Sequence, residues 1–252
     1  MIVKMIVTDL DGTLLRSDKT ISEQLTATLM KCRERGIKTV YATARGHSAK
    51  VLVPSELFDG FVRNNGATGY IGDVSIYSKL IPAAKARELL LTVHNAGAKI
   101  VAECDGTHYG NFDVLEKWPA ETHYEAADFE KLDLDIEKIY SLVENRETVE
   151  LIKKHMPDGS YLYISHDNVA MIMHEEATKA KAVAAIAEYW GIPQESLVAF
   201  GDDTNDVKLL KYCGIGVAMG NGLDAVKAVA DQVCDTNDNE GITKWIQENV
   251  LS

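Results

Sequence analysis

The chain has 252 residues, 46% of them hydrophobic and 25% charged, and a formal net charge of −12. That composition suits a globular protein with a sizeable core, and the charge argues against binding a nucleic-acid backbone or an anionic membrane. No apolar run reaches the roughly 18 residues that a membrane helix needs.

The opening "MIVKMIVTDL" is too short and too quickly acidic for a signal peptide. The four cysteines, Cys32, Cys104, Cys213 and Cys234, form no C-x-x-C pair. Scattered thiols of this kind read as reduced, which places the expected location in the cytoplasm.

Ile2–Thr8 is near-continuously apolar, the pattern of a strand buried on both faces. Ser22 precedes a helical pattern through Leu25, Leu29 and Cys32 that stops at Gly36. Ile37–Ala42 is the next strand and Phe61–Val62 a short third. The middle then changes character. A helix over Ala83–Asn95 leads into strand pairs, Ala98–Glu103 with His108–Gly110 and Tyr161–Ser165 with Val169–His174, the second pair turning at Asp167-Asn168. Between them lie a strand at Ile139–Val143 and a helix at Arg146–Lys154. Strand–helix alternation returns with helix Lys179–Tyr189, strand Leu197–Phe200, a helix from about Asn205 to Tyr212, strand Ile215–Ala218, helix Ala225–Ala230 and strand Gln232–Cys234. Alternation at both ends predicts an α/β fold with a doubly wound parallel sheet, Rossmann-like in arrangement. Residues 82–177 read as an inserted α+β domain dividing a first domain of residues 1–81 and 178–252, with linkers at Leu80–Pro82 and Glu175–Thr178.

Open α/β sheets bind ligands outside the carboxyl ends of their strands. Here those ends carry Asp9 and Asp11, then Thr43 and Arg45, then Asn64-Asn65-Gly66, then the run "GDDTND" with Asp202, Asp203, Asn205 and Asp206. Crowded acids cannot all stay ionised without a cation. Hard oxygen ligands suit Mg²⁺, which keeps waters and bridges to phosphate. With a metal present, one carboxylate can attack phosphorus to give an aspartyl-phosphate. A second acid two residues on can protonate the departing alcohol and later deprotonate water. On this reading Asp9 is the nucleophile and Asp11 the acid/base.

Each residue also has a plainer reading. Asp-x-Asp-Gly-Thr is good turn chemistry, so Asp9 and Asp11 could simply shape a turn. Arg45 could be a surface ion-pair residue, and Asn65 and Gly66 backbone supports. Asp203 reads as a solvated turn residue. Lys179 opens a helix, where its charge opposes the dipole, which speaks for a task. His94, His108, His123, His155, His166 and His174 match no zinc spacing and read as surface or strand residues. The hairpin tip Glu103–Asn111 is either a solvated loop or a reader of substrate, and Ala127–Lys138 is a solvated connection.

Four segments together carry a resemblance: "DLDGTLL" (Asp9–Leu15), "YATAR" (Tyr41–Arg45), Lys179 in "EEATKAKAVAAI", and "GDDTNDVKLL" (Gly201–Leu210). In order and spacing they resemble the motifs of haloacid dehalogenase superfamily phosphatases. "GIGVAMGNG" (Gly214–Gly222) and "NDNEGITKWI" (Asn237–Ile246) are similar to the C-terminal signatures of the Cof-type branch, and the insertion has the size and pattern of that branch's large α/β cap. The resemblance implies a catalytic core with a substrate-selecting cap. It implies Mg²⁺ held by Asp9, the backbone carbonyl of Asp11, and Asp202. Phosphate binding falls to Leu10, Thr43, Ala44, Lys179 and Asn205, with Asp206 and Arg45 in support. Two departures are Ala44 and Ala180, each where the family commonly has glycine.

The function expected is Mg²⁺-dependent hydrolysis of a small phosphorylated metabolite, a sugar phosphate or a cofactor-precursor phosphate, by a monomer or weak dimer. A phosphosugar mutase or phosphotransferase would use the same intermediate. A non-catalytic sugar-phosphate sensor is the alternative of another class, although an idle sensor would more readily have lost Asp9 or Asp11, and both are present; a dehalogenase has no alkoxide for Asp11 to protonate.

Overall fold

A computed structural model describes residues 2–119, 123–165 and 167–252. His166 lies outside them. The chain falls into two compact units, one of residues 1–44, 49–78 and 178–252, the other of residues 45–48 and 79–177.

The first unit opens with β1 (Met5–Thr8), α1 (Glu23–Glu34), β2 (Lys38–Ala42), the short α2 (Ala49–Leu52), β3 (Gly60–Arg63), β4 (Thr68–Ile71) and β5 (Val74–Ser78). The second unit holds α3 (Ala83–Asn95), β6 (Ile100–Cys104), β7 (Thr107–Gly110), β8 (Tyr124–Ala126), β9 (Lys138–Leu142), α4 (Arg146–Lys154), β10 (Ser160–Ile164) and β11 (Val169–His174). The chain returns to the first unit with α5 (Lys179–Tyr189), β12 (Leu197–Gly201), α6 (Val207–Tyr212), β13 (Ile215–Ala218), α7 (Asp224–Lys227), β14 (Gln232–Val233) and α8 (Gly241–Asn249).

The first unit's sheet runs β14-β13-β12-β1-β2-β3-β4-β5. It is parallel from β14 to β3, and β4 and β5 continue it antiparallel. Successive residues of the central strands feed opposite faces, as the two-residue strand period requires. Ile6, Val198 and Phe200 pack with Leu25 and Leu29 of α1 and Trp245 and Ile246 of α8. Met5, Val7, Leu197 and Ala199 pack on the other face with Ala182, Val183 and Ile186 of α5 and Leu209 and Leu210 of α6. Phe200 meets Trp245 edge-on at 5.3 Å, a geometry worth about 1 kcal/mol beyond its buried area. The α/β expectation stands, with two differences. β1 begins at Met5 rather than Ile2, and the sheet carries the antiparallel edge β4–β5 that short, Gly-bearing, half-exposed segments conceal in the sequence.

Two helices start on the capping residues their sequences offer. The Ser22 hydroxyl accepts from the Leu25 amide at 3.0 Å, and the Asn145 side chain accepts from Thr148 at 2.9 Å. The helix α8 was not among the expected elements, although Ile242, Trp245 and Ile246 bury one face of it.

The second unit's sheet runs β10-β11-β9-β6-β7-β8, antiparallel except for the β7–β8 pair. Leu89, Leu90 and Val93 of α3 and Ile152 of α4 pack on its Ile100, Ala102, Ile139 and Ile172. Glu103 is fully buried, with Lys138 Nζ 3.0 Å from its carboxylate. The segment Arg45–Ser48 joins this unit because two glycines let it interlock with the β6–β7 hairpin. A Cβ at Gly46 would overlap the Glu103 carboxylate, and one at Gly106 would overlap the His47 ring.

Candidate active site

The site is built in the first unit, where β1, β2, β3 and β12 end side by side. β1 delivers Asp9, which is 6% exposed; its backbone amide donates to the Phe200 carbonyl at 3.0 Å, so the residue is pinned to the neighbouring strand. The loop behind it turns through Gly12 at φ +77°, and a Cβ there would run into the Asp202 carboxylate. Glycine is required twice over, for the backbone conformation and for the close approach.

Lys179 opens α5 just after the N-cap Thr178, whose hydroxyl accepts from the Lys181 amide at 3.3 Å. The lysine is 1% exposed and donates to Asp9 Oδ1 and Asp206 Oδ1, each at 2.6 Å. The other oxygen of Asp206 accepts from the backbone amides of Asp202 and Asp203 at 3.0 and 3.2 Å. Asp206 is therefore committed on both oxygens and acts as the brace of the loop after β12. Gly201 leaves room for it, since a Cβ there would overlap Asp206 Cβ.

Asp202 Oδ1 accepts from the Thr13 hydroxyl at 2.7 Å. Burial pushes the Asp202 carboxyl up to about 6, with Asp206 adding to the rise and the Thr13 bond and the charge of Lys179 opposing it. Burial likewise holds Asp9 well above the ordinary carboxylate range, opposed by Lys179 and reinforced by Asp206 and Asp202. Lys179 is held above its ordinary value: burial pulls it down, and the two carboxylates more than offset that.

Three carboxylates thus face one ammonium in a buried place, and oxygens of Asp9, Asp202 and Asp206 lie within 4.8 Å of one another. This donor set fits a hard divalent cation. With Asp206 spent on Lys179 and two amides, the oxygens left for a metal belong to Asp9 and Asp202.

Asp11 stands apart in environment. Its side chain is 36% exposed, and Lys19 pairs with it at 2.8 Å. Sequence reading did not anticipate Lys19, because nothing local marks a loop lysine as a partner. Thr13 and Asn221 were also missed. Asn221 donates to the Gly12 carbonyl at 2.8 Å and accepts from the Asn237 amide at 3.0 Å, while the Asn237 side chain donates to the Leu15 carbonyl at 2.9 Å. The two C-terminal signatures thus clamp the loop that carries Asp11. No local pattern announces this clamp, whose side-chain bonds to Gly12 and Leu15 span 209 and 222 residues.

The remaining candidates are brought to the same rim in part. Thr43 follows β2 and is 1% exposed; its amide donates to Val62 and its carbonyl accepts from Asn65, both at 2.9 Å. Ala44 ends the first unit's portion of this loop, and Arg45 belongs to the second unit. Leu10 is fully buried, so only its backbone is available to a ligand. Asn205 donates to Asn65 Oδ1 at 2.8 Å. Asp203 accepts from the Thr204 amide at the start of the next turn and stands outside the cluster.

The haloacid dehalogenase-like hydrolase model matches residues 6–246 of the chain. The chain belongs to the haloacid dehalogenase-like hydrolase family. This hydrolase is 30% identical, over 97% of its length and 96% of the relative's, to 5-amino-6-(5-phospho-D-ribitylamino)uracil phosphatase YitU of Bacillus subtilis. It is 28% identical, over the full length of both, to pyridoxal phosphate phosphatase YbhA of Escherichia coli. Its fold is similar to that of a haloacid dehalogenase-like hydrolase from Bacteroides thetaiotaomicron, with a TM-score of 0.88 at 24% identity over 98% and 99% of the two chains.

Proposed function

We propose that this hydrolase is a Mg²⁺-dependent phosphatase for a small phosphorylated metabolite, working through an aspartyl-phosphate on Asp9. The carrying observation is the Lys179 ammonium held 2.6 Å from Asp9 Oδ1, with Asp11 two residues further along the same loop. Lys179 orients Asp9 and offsets charge when a phosphoryl group arrives. Asp9 attacks phosphorus as the ester oxygen departs, and Asp11, on the exposed side, gives that oxygen its proton. Asp11 then takes a proton from water as the water oxygen attacks phosphorus, the phosphorus–Asp9 bond breaks, and the carboxylate is restored. Asp9, Asp202 and the backbone carbonyl of Asp11 would hold the cation, which supplies positive charge to the phosphoryl oxygens when bound. Thr43, Ala44 and Asn205, with the Leu10 backbone, are the proposed phosphate contacts.

The substrate class proposed is a cofactor-precursor or sugar phosphate. Two relatives are named for phosphatases of a ribitylaminouracil phosphate and of pyridoxal phosphate. Substrate choice is assigned to the inserted domain of residues 82–177 of the sequence reading. Among the described residues no helix is long and apolar enough to cross a membrane. A cytoplasmic monomer or weak dimer is the proposed setting.

The test is phosphate release from an aryl phosphate and a panel of sugar and cofactor phosphates, with and without Mg²⁺, for the native protein and Asp9→Asn. Metal-dependent release abolished by Asp9→Asn supports the proposal. Binding of a phosphate ester with no turnover by the native protein overturns it.

A further inference from the structure

The end of β3 holds three successive residues in the left-handed region: Asn64 at φ +50°, Asn65 at +56° and Gly66 at +105°. Two of them are not glycine, and such a conformation persists only where its surroundings enforce it. The enforcement is visible around Asn65. Its amide donates to the Thr43 carbonyl at 2.9 Å. Its side-chain Oδ1 accepts from Asn205 at 2.8 Å. The next residue, Gly66, abuts the Thr178 carbonyl and the Lys179 amide so closely that a Cβ would overlap both. Asn65 and Gly66 together therefore join the loop after β2, the loop after β12 and the head of α5.

With those bonds made, the Asn65 Nδ2 donor is still buried and has no hydrogen-bond partner among the described residues, and the residue is 2% exposed. The Asn205 Oδ1 acceptor beside it is in the same condition. Leaving such an amide donor unmet forfeits its hydration without a replacement bond, so a buried orphan points to something that answers it. The three segments joined at Asn65 and Gly66 carry Thr43, Asn205 and Lys179. A phosphoryl oxygen would answer the donor, and a water carried with it would answer the acceptor.

Building on the phosphatase reading, we propose that Asn65 is a direct donor to the phosphoryl group, its amide paired with that of Asn205 so that two side chains bind the oxyanion as a unit. Sequence reading left Asn65 open between backbone support and contact; the buried orphan donor selects contact.

Two substitutions separate this from a merely structural role. Asn65→Gly deletes the amide at a φ that glycine adopts freely. Asn65→Asp keeps the shape and the oxygen that accepts from Asn205, and replaces the donor with a second carboxylate oxygen. The readouts are calorimetric affinity for inorganic phosphate with Mg²⁺ present, kcat/KM on an aryl phosphate, and melting temperature. The expected result is that Asn65→Gly binds phosphate roughly tenfold to a hundredfold more weakly, as the loss of one bond to a charged group implies. Asn65→Asp is expected to bind more weakly still, because a carboxylate would face the anion. Native-like phosphate affinity in both variants overturns the proposal and leaves Asn65 a turn residue. A weak Asn65→Gly beside a native-like Asn65→Asp also overturns it, because Asn65 would then act only by holding Asn205. If Asn65→Gly fails to fold, the near-isosteric Asn65→Asp decides alone. If the native protein binds phosphate but hydrolyses nothing, the phosphatase reading fails while the binding comparison still judges Asn65. No binding to the native protein overturns the assignment of Asn65.

Discussion

Lys179 and Asp206 form a fully buried ion pair at 2.6 Å, and the same ammonium reaches Asp9 at the same distance. One lysine thus binds the candidate nucleophile to the brace of the loop after β12. Replacing it by methionine removes the cation that pairs with both carboxylates. Removing one partner of a buried pair costs roughly 3–5 kcal/mol. Lys179→Met is expected to lower the urea midpoint accordingly and to reduce kcat by at least about a hundredfold with Mg²⁺ saturating. Chemical denaturation and steady-state kinetics on the same preparation check both. Native-like kcat would show that Lys179 serves folding alone.

The pH dependence of the metal-free protein follows from Asp202, whose carboxyl is pushed up to about 6 by burial. The folded state then holds this proton more tightly than the unfolded state does. Stability is fullest below the unfolded value near 4 and falls as pH rises towards 6, by on the order of 3 kcal/mol from this group. Asp9, raised in the same direction, adds to the fall. A bound divalent cation favours the ionised carboxylates. Melting temperatures in chelator and in Mg²⁺ should therefore differ more at pH 7.5 than at pH 5. An equal Mg²⁺ gain at both pH values would contradict the assignment of these acids to the metal.

Gly12 and Gly36 make a matched pair. Their φ values are +77° and +78°, but a Cβ at Gly12 meets the Asp202 carboxylate whereas one at Gly36 meets nothing within 4 Å. Gly36→Ala should cost about 1–2 kcal/mol of backbone strain and leave kcat unchanged. Gly12→Ala pays the same strain and also displaces Asp202, so its Mg²⁺ requirement should rise at least about tenfold. Titration of activity against Mg²⁺ separates the two.

Asn237 tests the clamp on the Asp11 loop. Its side chain reaches the Leu15 carbonyl and its amide reaches Asn221, which in turn holds Gly12. Asn237→Ala should remove about 1 kcal/mol of stability. If the clamp positions Asp11, kcat should fall by more than that loss explains, and the acid limb of the kcat profile should shift. An unchanged pH profile would confine Asn237 to a structural role.

Much of this arrangement is legible in the amino-acid sequence. Asp9, Lys179, Asp202 and Asp206 stand at strand ends or a helix start whose periodicity is clear, and the structure gathers all four. The hairpin β4–β5 was not read, because its alternation is brief and its outer strand is largely exposed, leaving little apolar contrast. Yet Gly72 with Asp73, at φ +56° for the glycine, was a usable turn signal. The Thr13–Asp202 bond joins positions 189 residues apart, and no local pattern encodes such a pairing. The grouping of Arg45–Ser48 with the second unit was unreadable for the same reason, since it depends on where Glu103 and His47 find room.

That grouping has a consequence for dissection of the chain. The four residues Arg45–Ser48 lie in one unit while the residues before and after them lie in the other, so the polypeptide crosses between units four times rather than twice. Excising residues 79–177 as a single fragment would separate Gly46 from Glu103 and His47 from Gly106. The fragment would keep a buried acid with its lysine partner but lose the backbone that covers it. The shortened remainder would keep a loop shaped for neighbours it no longer has. The smallest single excision that keeps the whole second unit is therefore residues 45–177, a piece that also takes β3, β4 and β5 out of the other unit.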